Sequence, residues 1–221
     1  MLAPTHGGMR LHNQSMTQTA PAHAVIASPS LPLSNQVLLL VDFINPMNFP
    51  GGEDLAPRAL EAARATAALK ERLTAEGVAT IYANDNYGIW QSDFHSLVSK
   101  CLGMEGPPGE IARLLYPQAE DLTILKPRHS AFYASPLELL LREMETRQLV
   151  ICGLATDMCV QLTAGDAFLR EFECWVPADC TAAESDDAKA LSIEFMQKVL
   201  KCDIRESAEG SSKAKRPRKR A

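Results

Sequence analysis

The stretch LVICGLATDMCV (149–160) runs from an apolar segment through a glycine and a polar elbow to a cysteine, Cys159, at the start of a helical pattern. If Thr156 caps that helix, Cys159 lies in its first turn. There, unpaired backbone N–H groups and the positive end of the helix dipole favour a thiolate. Two other apolar segments end in charge: VLLLVDF (37–43) in the carboxylate of Asp42, DLTILKP (121–127) in the ammonium of Lys126. A nearby Lys126 would lower the thiol pKa further. Asp42 would accept the thiol proton and hand it to a leaving group, which is the nucleophile-plus-base arrangement of covalent catalysis. Cysteine is also among the most buried residue types, and a helix facing a sheet can use it as filler. Cys152, inside the apolar segment, has that reading.

For these three residues to meet, the elements carrying them must end at one edge. The segments 37–43, 79–85 (ATIYAND), 121–127, 149–153 and 173–177 (ECWVP) read as strands. They are apolar throughout rather than alternating, as in parallel sheets buried on both faces. Helical patterns lie between them. One covers 59–77 and stops at Gly77. Another follows Ser135 as N-cap, with Pro136 at the first helical position and Glu138 closing a capping box. Two more span 157–170 and 185–200. The predicted fold is α/β, a single-domain, doubly wound parallel sheet sandwiched by helices, in which binding crevices open beyond the carboxyl ends of the strands. A nucleotide site would need a glycine-rich turn after the first strand. The chain offers DFINPMNFPGG instead, with an acid first and the glycines too late.

A chain of 221 residues, 46% hydrophobic, can bury one sizeable core. Residues 1–34 are rich in Pro, Ser, Thr, Ala and His without periodicity and read as a disordered leader, with the domain over 35–206. Residues 207–221 read as a basic disordered tail. Its last stretch, SSKAKRPRKRA (211–221), holds six lysines and arginines and no acid, and leaves the rest of the chain at −11 against −5 overall. An acidic body is a poor phosphate-backbone reader, so nucleic-acid contact is expected only as a weak property of the tail. No apolar run has membrane-spanning length, and a cytoplasmic location is expected. The six cysteines include no CxxC pair, which argues against a disulfide framework or a structural metal site.

The motifs VDFIN, ILKPRHSAF and GLATDMCV, in this order and at these separations, resemble those of the isochorismatase-like cysteine hydrolase superfamily, over about residues 36–205. That resemblance implies an Asp42–Lys126–Cys159 triad. It also implies a non-proline cis peptide at Leu154–Ala155, which aims the backbone N–H groups of Ala155 and Cys159 at an oxyanion. It implies a homo-oligomer, a dimer or tetramer. The mechanism it suggests is attack of Cys159 on an amide-like carbonyl of a small molecule, with Asp42 protonating the departing nitrogen and then activating water against the thioester.

Nicotinamidases of this superfamily carry Asp-x-His and a later His as metal ligands. Here Tyr87 stands in place of the first His, and Asp85 with His95 makes a poor site, so neither metal nor other cofactor is expected. The same stretch is expected to form a pocket wall through Asn86, Trp90 and Phe94, with Phe132 and Tyr133 opposite. Core packing is an equal reading for these aromatics. His129 close to Lys126 leaves open a Cys–His dyad with Asp42 only orienting. Vinyl-ether hydrolysis of isochorismate and a noncatalytic binding module remain the alternative functions.

Overall fold

The computed structural model describes residues 31–91 and 93–209. Six strands form one parallel sheet: β1 (Gln36–Val41), β2 (Ala79–Asp85), β3 (Leu122–Lys126), β4 (Gln148–Leu154), β5 (Glu173–Trp175) and β6 (Thr181–Ala182). Their order is β3-β2-β1-β4-β5, and β6 pairs with the last two residues of β4, beyond the stretch that β5 occupies. The chain winds outward from β1 to β3 and returns on the other side of β1 at β4. The order reverses between β1 and β4, and that is where a doubly wound sheet leaves its crevice.

The predicted α/β three-layer arrangement is the observed one. Along β1, Leu38 and Leu40 face one apolar core while Val37, Leu39 and Val41 face the other, as the two-residue period of a strand requires. The first core is filled by α1 (Gly52–Ala75), α2 (Phe94–Leu102) and α3 (Pro107–Leu114). The second is filled by α4 (Leu137–Glu143), α5 (Gln161–Leu169) and α6 (Asp186–Lys198). With both faces covered, the central strands β1 and β4 need apolar residues on both sides, and this explains their apolar runs.

Local differences from the sequence reading have physical causes. α1 begins at Gly52, seven residues before 59, with Pro57 held inside it. α2 and α3 were not anticipated. The first is capped by Asp93, whose carboxylate accepts from Ser96 N–H, and the second starts on Pro107 and Pro108. Ser135 lies one residue outside the N-cap of α4, and Pro136 takes that position. The Ser135 hydroxyl still accepts from Leu137 N–H at 3.2 Å. Thr156 does not cap a helix. It opens a π-helical turn, Thr156–Val160, and its buried hydroxyl has no partner among the described residues.

The ends of the domain are tied down further than the sequence suggested. Ser34 is buried, with its N–H on the Met144 carbonyl and its hydroxyl on that of Gln36. At the other end Asp203 bridges to Trp175. Its N–H donates to the Cys174 carbonyl and its own carbonyl accepts from Val176 N–H. The Trp175 indole donates to the Arg205 carbonyl, and Ser207 binds Asp179. Residues 1–30 of the expected leader and 210–221 of the expected tail lie outside the described residues.

Candidate active site

β1 delivers Asp42 by leaving the sheet sharply, since Asp42 itself adopts φ +53°. β2 ends at Asp85 and β3 at Lys126, paired in register, so Lys126 reaches across the end of β2 toward β1. β4 leads through Gly153, φ +150°, into the cis peptide Leu154–Ala155 and the turn that holds Cys159. Gly153 is required there. A Cβ would fall against the carbonyl oxygen of Val41 on the neighbouring strand, closer than side-chain carbons come.

These placements bring Asp42, Lys126 and Cys159 together. The Lys126 Nζ lies 2.8 Å from Asp42 Oδ2 and 3.5 Å from the Cys159 sulfur. It also donates to the Arg128 carbonyl at 3.1 Å and lies 3.5 Å from Asp85 Oδ2. The other Asp42 oxygen accepts from Asp85 N–H at 2.7 Å. Lys126 is fully buried, and Asp42 and Cys159 nearly so. His129, exposed, sets its Nδ1 3.6 Å from the same sulfur.

Burial decides the protonation states. It pushes the Asp42 carboxyl up, against the lowering pull of Lys126. Burial alone would lower the Lys126 ammonium, but Asp42, Cys159 and Asp85 outweigh it and hold the group charged. Burial and the Asp42 carboxylate together push the Cys159 thiol up, more than Lys126 lowers it. The expected lowering of the thiol pKa is therefore not what this site produces: burial first, and the neighbouring carboxylate second, disfavour the anion, and Lys126 offsets them only in part. The arrangement suits deprotonation during attack.

Asn86 is buried beside the site, its N–H on the Lys126 carbonyl and its side-chain oxygen closing a turn with Gly88 N–H. Trp90 and Tyr133 are exposed. Phe94 and Phe132 do not face one another across a pocket. Phe94 packs on Tyr82 in the core with α1–α3, while Phe132 packs on Phe172 and under Arg170 in the core across the sheet. A cleft of about 500 Å³ between α2 and residues 116–121 is lined by Phe94, His95 and Tyr116, but by none of Asp42, Lys126 and Cys159.

The sequence reading treated Asp85 only as a remnant metal ligand. It is instead part of the charge cluster, and its position at a strand end, like that of Asp42, was the available signal. Tyr87 also belongs near the site: the residue is 42% exposed, and partial burial with the Asp42 and Asp85 carboxylates pushes its phenol up. Among the described residues no group of three or more His, Cys, Asp or Glu could hold a metal ion.

A family model, the Isochorismatase domain, matches residues 36–204. The chain belongs to the isochorismatase family. The isochorismatase family protein YaaI of Bacillus subtilis is 35% identical over 171 residues, 77% of this chain and 93% of its own length. The ureidoacrylate amidohydrolase RutB of Methylorubrum extorquens is 43% identical over 67 residues, 30% of this chain and 27% of its own. Among solved structures, the N-carbamoylsarcosine amidase of Thermoplasma acidophilum superposes with a TM-score of 0.62 at 24% identity, covering 80% of this chain and 99% of that one. At that identity the likeness speaks for the fold. This chain is an isochorismatase-family hydrolase.

Proposed function

We propose that this isochorismatase-family hydrolase cleaves an amide-type C–N bond of a small carbonyl compound through a thioester on Cys159. The observation that carries the reading is the continuous chain of contacts from Asp42 through Lys126 to the Cys159 sulfur, 2.8 and 3.5 Å, at the point where the strand order reverses. As the sulfur attacks the carbonyl carbon, its proton passes to Asp42, whose raised pKa makes it a competent acceptor. The backbone N–H groups of Ala155 and Cys159 receive the oxyanion. Asp42 then gives the proton to the leaving nitrogen, the C–N bond breaks, and water hydrolyses the thioester. Lys126 keeps the charge balanced throughout. The likeness to a ureidoacrylate amidohydrolase supports a C–N substrate.

The test is a panel of small amides, ureido acids and isochorismate, scored for product release with the wild type and with Cys159→Ala. Release from one or more C–N substrates, lost in the variant, is the expected result. Near wild-type release from the variant would refute the thiol mechanism, and release from isochorismate alone would assign vinyl-ether chemistry.

A further inference from the structure

The Cys159 sulfur has two nitrogen neighbours of opposite situation. Lys126 Nζ, 3.5 Å away, is sealed in the protein, whereas His129, with Nδ1 3.6 Å away, stands in solvent. Asp42 lies on the sealed side. It is 5% exposed, with one oxygen taken by Asp85 N–H and the other by Lys126. Those contacts suit the first half of the proposed reaction, in which the proton moves only from sulfur to leaving nitrogen. The second half is different. A water has to arrive from solvent at the acyl carbonyl seated on the sulfur, and the imidazole, exposed and 3.6 Å from the sulfur, is placed to meet it.

We propose that His129 is the general base of thioester hydrolysis. The inference rests on the Cys159 thioester reading and divides its two halves between two bases. The water oxygen bonds to the acyl carbon while one of its protons moves to His129 Nδ1. The C–S bond then breaks, and the imidazolium returns that proton to the departing sulfur, restoring the thiol and releasing the carboxylic acid. The same nitrogen can serve both transfers because it lies within reach of the sulfur and of the space above it. An ammonium in place of the imidazole could not take the proton. Lys126, held charged by its carboxylates, is therefore not a rival for this step.

The test uses p-nitrophenyl acetate as the acyl donor, with the wild type, His129→Ala, His129→Gln and Cys159→Ala. The initial burst of nitrophenolate reads acylation, the steady rate reads deacylation, and acid-quenched mass analysis locates the acetyl group. In both His129 variants the burst should stay within about twofold of wild type. The steady rate should fall on the order of 10²-fold, the usual weight of a general base, with acetyl accumulating on Cys159. Added imidazole should restore the rate of the alanine variant. That rescue separates proton transfer from mere support of the loop, and glutamine, which can hold a water but not take its proton, should behave like alanine. If the burst falls together with the steady rate, the imidazole serves the sulfur and the proposal is wrong. An unchanged steady rate is equally fatal to it. Absence of acetyl from Cys159 in every protein would instead overturn the thioester reading itself, and this proposal with it.

Discussion

Asp42 has two roles, and they can be separated. Its carboxylate takes the Cys159 proton in the proposed reaction, and after burial it is also a reason the thiol is pushed up. Asp42→Asn is therefore expected to lose turnover and yet to make Cys159 react faster with iodoacetamide at neutral pH, since Lys126 remains beside the sulfur without its opposing charge. Labelling rates mapped to the Cys159 peptide check this, and slower labelling in the variant would contradict the assignment. The same substitution should cost stability, on the order of 2–4 kcal/mol by denaturant melts. It leaves a buried ammonium whose remaining partners are Asp85, the Arg128 carbonyl and the Cys159 sulfur, without its closest carboxylate. Replacing Lys126 by Met in the same chain should recover most of that loss but none of the activity. The three residues were readable in the sequence because each ends a strand or opens the turn after one. Their protonation was not readable, because it depends on burial and on separations of a few ångströms that no motif encodes. Asp85 escaped for a related reason: as a carboxylate next to a missing histidine it looked like half of something else.

At the scale of elements, the strands were the legible part, since burial on both faces writes an apolar run into the central strands β1 and β4. α2 and α3 are short and separated by Gly103, Met104, Glu105 and Gly106, so no window shows a full helical period. The seven-residue advance of α1 into GEDLAPR was hidden by Pro57, a residue that normally reads as a helix boundary. The turn around Cys159 was misread as an ordinary capped helix because Thr before an acid is the usual N-terminal signal. What positions that turn is the close passage of β4 against β1. Gly153→Ala should strain both at once, through a φ that alanine disfavours and a methyl group driven into the Val41 carbonyl. A loss of about 2–3 kcal/mol is expected in thermal or urea unfolding. Activity should fall further than stability accounts for, because Ala155 and Cys159 follow directly.

For the whole molecule, no group of three or more His, Cys, Asp or Glu that could hold a metal ion occurs among the described residues. Asp85 is bound to Lys126 and closes a turn with Tyr87 N–H, while His95 lies in the cleft by α2, away from the charge cluster. Dialysis against EDTA is therefore expected to leave both turnover and melting temperature unchanged. Stoichiometric zinc or iron in the purified protein, with activity lost on its removal, would overturn this. Among the described residues no helix is long and apolar enough to cross a membrane.

The strap formed by Asp203 and Arg205 on Trp175 of β5, held at its end by Ser207 on Asp179, sets a limit on how the chain can be shortened. An outermost strand stripped of its cover offers its free N–H and C=O groups to any passing copy. Trimming away the cationic end after residue 209 should yield a well-behaved enzyme, whereas a stop codon at Cys202 should give protein that sticks to itself, as light scattering on the two would reveal.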